Sequence, residues 1–381
     1  MATIHVGRCR SLVDIERAIS QMYSESEDNK FVFPLGFFKA RHSPMYDASR
    51  LQMIVTLARQ RLKGDYLDIH PNATPEDAKE AVCSYSPGIA GARLTRGIRL
   101  GNQELDRRDV LKAAAGKMRD TDAGVFRDAI RGRALDLICV AASKVQYLRP
   151  LFAAPKIAKE QEAMRASMAE LVDYVNQQSR ESIPDSLIDA LGSFSSELLQ
   201  NTQDHAVTDH EGNPYLAHVE GLILGWTRLN EELFSEDFSG NDLLRAYWGT
   251  ESGATDSGLT SLRVFEISYF DSGPGLVSRF TGKLVTDMTI EQERNELLQC
   301  LQHNVSSKHQ DAAGEGLPLV LSELSKIGGV IRIRSGRLSV FNVFTKGDTQ
   351  RNHFEFEDWT QQPLAPVQGA VVSILVPLRA E

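Results

Sequence analysis

Near the middle of the chain runs Ser195-Ser-Glu-Leu-Leu-Gln-Asn-Thr-Gln-Asp-His-Ala206. Glu197 and Asn201 are four residues apart, and Asp204 and His205 follow Asn201 by three and four. Residues at these spacings share one face of an α-helix, and Leu198, Leu199 and Ala206 supply apolar positions for packing. The pattern predicts a helix over 185–206, entered after the interruption at Ile183-Pro184. Its polar face offers a carboxylate for proton abstraction, an amide oxygen for a hard cation and a second acidic group. Mg²⁺ takes few protein oxygens when waters and phosphates complete its shell, so a single Asn suits it. Plain solvation of a polar helix face accounts for this segment alone equally well.

Two further stretches change the weighting. Val264-Phe-Glu-Ile-Ser-Tyr-Phe-Asp-Ser-Gly-Pro-Gly-Leu276 reads as a buried strand ending in Asp271, followed by Gly273 and Gly275. A carboxylate at a buried strand end can accept a hydrogen bond from the exocyclic amine of a base. The glycines allow a tight turn and close backbone approach to a ligand. Beyond it, Gly314-Glu-Gly-Leu-Pro-Leu319 opens a predicted helix over 317–327, with Pro318 suited to its first turn. Free backbone N–H groups at a helix start bind phosphate. Residues 329–335 and 369–377 then read as strands that close a sheet.

The first 155 residues alternate short apolar runs with amphipathic stretches, an α/β pattern. ATIHV, FVFPLGFF, YLDIH and LDLICVAA are expected strands, and 14–23 and 47–61 expected helices. The latter carries Leu51, Ile54, Val55 and Ala58 on one face. Pro75–Tyr85 is an expected helix opened by Thr74 as N-cap. The Arg- and Gly-rich segment 93–108 reads as a solvated loop, with a small anion-binding patch as the alternative. No phosphate loop or nucleophile elbow appears in this half. Pro150–Pro155 is a natural break, and residues 156–179 have the spacing of a helix whose methionines mark core or a dimer seam.

Composition narrows the classes. With 42 Lys+Arg against 51 Asp+Glu the net charge is −9, a poor balance for wholesale binding to nucleic acid. Apolar residues at 42% and charged residues at 24% suit a globular chain with a sizeable core. No run reaches the ~18 apolar residues of a membrane span. The opening MATIHVGRCRSLVDIE has no signal-peptide pattern, so a cytoplasmic location is expected. Cys9, Cys83, Cys139 and Cys300 are scattered, which gives neither a zinc site nor a disulfide framework.

In order and register these motifs resemble the GHKL ATPase superfamily, which contains gyrase, the heat-shock chaperone, histidine kinases and MutL. The N box is Glu197-Leu-Leu-Gln-Asn201-Thr-Gln-Asp204-His205. The first glycine box is Asp271-Ser-Gly273-Pro-Gly275, and the second is Gly314-Glu-Gly316-Leu317. The resemblance covers about residues 160–381 and implies a Bergerat fold, a mixed sheet backed by helices; with the break at 150–155, the expected domains are this one over 156–381 and a separate N-terminal α/β domain over 1–155. It also implies ATP between the helical layer and a lid, with Asp271 holding the adenine amine and Asn201 coordinating Mg²⁺. Glu197 matches the water-activating base of the hydrolysing members. Gly273, Gly275, Gly314, Gly316 and Leu317 shape the nucleotide loops, Asp204 and His205 complete the N box, and Lys308 neutralises phosphate charge.

Three departures qualify it. Ala370 replaces the usual Thr of the last strand, so that hydroxyl contact near the adenine is either missing or supplied elsewhere, with Ser373 as the candidate. The second box reads GEGLPL, and the gap from Asn201 to Asp271 is long. Residues 207–255 are therefore expected to include an insertion, for a partner or dimer contact. The resemblance implies ATP hydrolysis that switches the conformation or assembly of an N-terminal regulatory domain. A protein kinase or an ATP-sensing scaffold are the alternatives, although residues 156–179 contain no phosphoacceptor His.

Overall fold

The structure is a computed structural model that describes residues 2–39, 42–62, 64–141, 147–176, 183–254, 258–303, 316–347 and 352–378. Its centre is a nine-stranded sheet built on six long strands. These are β1 (Ala134–Val140), β2 (Val219–Asn230), β3 (Thr260–Asp271), β4 (Gly329–Gly336), β5 (Leu338–Phe344) and β6 (Val367–Pro377). The spatial order is β5-β4-β6-β3-β2-β1, with Glu357–Asp358 beside β5, Ile130–Arg131 beside β1 and Gly253–Ala254 on β3. The mixed sheet implied by the resemblance is not what forms, because every pairing in this sheet is antiparallel. The strands read as near-continuous apolar runs because both faces of the sheet are covered.

Among the helices that cover those faces are α1 (Leu12–Ser24), α2 (Pro44–Leu57), α3 (Gln161–Asn176), α4 (Asp185–His205) and α5 (Gly316–Ile327). Alternation along each strand divides the core in two. Phe265, Ile267 and Tyr269 of β3 pack with Met164, Leu199 and Leu321 of α3, α4 and α5. Val264 and Phe270 turn the other way, toward Leu51, Ile54 and Val55 of α2.

The N-terminal segment is joined closely to this sheet. β1 precedes the expected break at 150–155 and hydrogen-bonds along β2, Leu137 opposite Leu222. The break itself falls in a small hairpin of Phe152–Ala154 and Ile157–Ala158. α2 lies against the sheet, and all of its residues are buried, so it is not the one-sided helix its spacing predicted. Polar groups at its start and middle are answered by the sheet. Ser43 Oγ and Met45 N–H donate to Glu266 Oε2 at 2.8 and 3.1 Å. Gln52 Nε2 donates to the carbonyls of Arg334 and Gly369 at 3.0 and 3.2 Å.

Local readings mostly become the expected elements. Thr74 caps Pro75–Val82 by accepting from Asp77 N–H at 3.1 Å. FVFPLGFF is instead a short strand, Lys30–Val32, followed by a helix, Leu35–Lys39. Pro34 intervenes, and proline cannot donate to a ladder. The expected loop at 93–108 contains two paired strands, Gly97–Leu100 and Gln103–Asp106. Its Arg99 is held by Asp68 at 2.7 Å, a carboxylate that raises the guanidinium pKa and occupies the charge an anion would use. Among the described residues no helix is long and apolar enough to cross a membrane.

Candidate functional site

The expected site elements converge on the helix-covered face. α4 lies between α3 and α5, with Leu187, Leu191, Phe194 and Leu199 buried. Its half-buried Glu197 accepts a hydrogen bond at Oε1 from Gly316 N–H, 2.9 Å away and 119 residues on. Gly316 opens α5 against α4 so closely that a Cβ there would lie 2.7 Å from Phe194 Cα. The first N-box carboxylate therefore touches the second glycine box, and Leu317 packs buried behind it. Asn201 follows one turn beyond Glu197 and is half-buried. Lys308 and Gly314 lie outside the described residues.

Asp271 ends β3 as the sequence predicts, and it is buried. Its Oδ1 accepts from Gly273 N–H at 2.7 Å. Burial pushes its carboxyl pKa up, opposed by that N–H and by the charge of Arg279. Gly273 lies against the end of α4, where a Cβ would come within 2.7 Å of Ala206 Cβ. Its carbonyl accepts from Gly369 N–H at 2.7 Å. Gly369 needs its achirality, since its φ is +73° and a Cβ would fall 2.1 Å from the Asp271 carbonyl oxygen. Gly275, at φ +93°, begins the next helix, and Leu276 N–H donates to Ser335 Oγ at 2.8 Å. The first glycine box is thus tied to α4, β6 and β4 together.

Beneath Asp271 is a cavity of ≈ 20 Å³, lined among others by Leu199, Thr202, Tyr269, Arg279 and Ala370. That space holds about one water. Two expected site residues stay away from it. Asp204 and His205 are exposed in the last turn of α4, and Asp204 Oδ1 accepts from Gln200 Nε2 at 2.9 Å. Thr202 takes the cavity-facing position instead. Ser373 does not replace the hydroxyl missing at Ala370. It faces α2 and hydrogen-bonds Ser268 Oγ at 2.8 Å, because an odd offset from Ala370 points across the sheet.

A polar cluster beside Asp271 escaped the sequence reading. Glu220 pairs with Asp271 across β2 and β3, and both are buried. Gln203 Nε2 donates to Glu220 Oε1, and His218 Nε2 stands 3.8 Å from the same oxygen. Burial raises the Glu220 pKa, and the Asp271 charge adds to that rise. Among the described residues Gln203 Oε1, His218 Nε2 and Glu220 Oε2 find no hydrogen-bond partner. Arg59 reaches the same end from the turn after α2, donating to the carbonyls of Ala217 at 2.7 Å and Ser272 at 3.3 Å. The signal was present in the apolar run Gly221-Leu-Ile-Leu-Gly-Trp226, a strand inside the span expected to be an insertion. Among the described residues no group of three His, Cys, Asp or Glu side chains could hold a metal ion. No family model matches this chain, and neither a curated protein nor a solved structure matches it.

Proposed function

We propose that this chain binds Mg·ATP in the GHKL manner and hydrolyses it, using the bound state to move its N-terminal helices. The observation that carries the reading is the hydrogen bond between Glu197 and Gly316, which brings the N-box helix onto the second glycine box. The residues suit the nucleotide. Asp271 keeps lone pairs beyond the one Gly273 uses, as an amine of the base requires. The start of α5 supplies N–H groups for phosphate, and Asn201 offers an amide oxygen for Mg²⁺. Bound metal would supply charge neutralisation across the phosphates.

In this reading Glu197 orients a water and accepts its proton as the water oxygen bonds to the γ-phosphorus and the bond to ADP breaks. Entry of the base requires the side chains around the ≈ 20 Å³ cavity to part. That movement has a short path to α2. Gly273 accepts from Gly369 N–H, and the Gly369 carbonyl accepts from Gln52 Nε2 at 3.2 Å.

The test is incubation with γ-labelled ATP and Mg²⁺, following free phosphate and protein-bound label together. Free phosphate without labelled protein supports hydrolysis. Label retained on the chain assigns a kinase, and saturable binding with neither signal assigns a sensor. Absence of ATP binding overturns the proposal.

A further inference from the structure

A cavity of ≈ 670 Å³ lies between α1, the β4–β5 hairpin and residues 359–365. It is on the sheet face opposite Asp271, and its size is that of small-molecule sites. Arg332 of β4 and Ser339 of β5 line it. The Arg332 side chain is 1% exposed and Ser339 is 4% exposed. Among the described residues neither Arg332 Nε nor Ser339 Oγ has a hydrogen-bond partner.

The charge of Arg332 is also poorly matched. Two acids act on it, and both are engaged elsewhere: Glu16 by Arg334 through both oxygens, at 2.8 and 2.9 Å, and Asp237 by the Tyr46 hydroxyl at 2.8 Å and Val13 N–H at 3.0 Å. Arg332 Nη2 stands 3.7 Å from Glu16, and its Nη1 is 3.4 Å from Ser49 Oγ. Burial lowers the Arg332 pKa to about 10, which leaves it protonated at neutral pH. A buried cation with an unused N–H, beside an unused hydroxyl, is costly unless an anion completes it. Trp359 lies under the guanidinium, 5.2 Å from ring centroid to Cζ, and with Leu12, Pro363 and Leu364 gives an apolar side to a wall that also carries Glu16, Arg17 and Gln21.

We propose that this cavity binds a small organic anion, a carboxylate or phosphate held by Arg332 Nε and Ser339 Oγ, with an apolar body against Trp359. The assignment does not depend on the nucleotide reading, since none of these residues belongs to that site.

Calorimetric titration of the full chain with phenyl phosphate, benzoate and benzyl alcohol tests it. At least one anion binds saturably with Kd below about 1 mM, and the neutral alcohol binds at least about tenfold more weakly. Ser339→Ala weakens anion binding about tenfold, the loss of one hydrogen bond to a charged group. Arg332→Gln abolishes it, read on protein whose circular dichroism matches wild type. Ser339→Ala, which removes one oxygen, decides the matter should Arg332→Gln fail to fold. Binding of phenyl phosphate alone assigns a phosphate ligand, and of benzoate alone a carboxylate. The proposal is overturned if neither anion binds, if the alcohol binds as tightly, or if Ser339→Ala binds as wild type does.

Discussion

Glu16 and Arg334 are 318 residues apart in sequence and meet in a two-point ion pair, Nε to Oε1 at 2.8 Å and Nη2 to Oε2 at 2.9 Å. The arginine is 1% exposed and the glutamate 18%. The pair clips α1 to β4, and removing one member leaves the other charge buried. Glu16→Ala should therefore destabilise the chain by about 3 kcal/mol, read as a lower urea midpoint at unchanged slope. A loss below about 1 kcal/mol would mean that solvent reaches Arg334 easily.

Glu266 should make the fold weaken as pH rises. Its carboxyl, buried beneath the start of α2, is pushed from 4.5 to about 7 by burial. A raised folded-state pKa gives stability that is fully present below 4.5 and lost as pH climbs to about 7. At roughly 1.4 kcal/mol per unit the loss is on the order of 3 kcal/mol. Glu266→Gln can still accept from Ser43 and Met45 and has no proton to lose. Its unfolding free energy should fall less than wild type between pH 5 and pH 7.5 in the same urea series, and parallel curves would contradict the assignment.

Two glycine substitutions should move stability in opposite directions. Gly116 sits inside the helix Arg107–Asp122 with nothing within 4 Å of an added Cβ. Gly116→Ala should therefore stabilise by about 1 kcal/mol. Gly369→Ala meets the Asp271 carbonyl and an unfavourable φ, and should cost roughly 2 kcal/mol or more. Thermal melts of the two variants beside wild type check both signs.

Asn201→Ala should abolish Mg·ATP binding, and unchanged affinity would sink its role as metal ligand. Glu197→Ala should retain binding and lose turnover by at least about 100-fold. Wild-type turnover in that variant would remove Glu197 as the base. Because Glu197 also holds Gly316, its thermal stability has to be measured alongside.

Elements with strong local signals were legible in the sequence. α4 has helical spacing over its whole length, Asp271 ends an apolar run, and Thr74 caps its helix through its own side chain. Less legible were features created by partners far along the chain. α2 looked one-sided because its apolar spacing marks one face only, yet Arg50 and Gln52 on its other faces find partners on distant buried segments, Tyr85 and the Arg334 carbonyl. β2 shows as an apolar run inside an expected insertion, but nothing local states that its Glu220 will pair with Asp271. The hydroxyl assigned to Ser373 failed on parity, since one residue of offset moves a strand side chain to the other face.

β6 follows the other five long strands in sequence, yet it lies between β4 and β3 in the middle of the sheet. Before residues 367–377 are in place, β1-β2-β3 and β4-β5 are two separate ribbons, each with one long unpaired edge. During synthesis those edges stay open until residues 367–377 have left the ribosome, a period in which other chains can pair with them. Removing residues 367–377 would therefore take out the keystone of the sheet, and the fragment left behind should aggregate rather than fold to a smaller version of the whole.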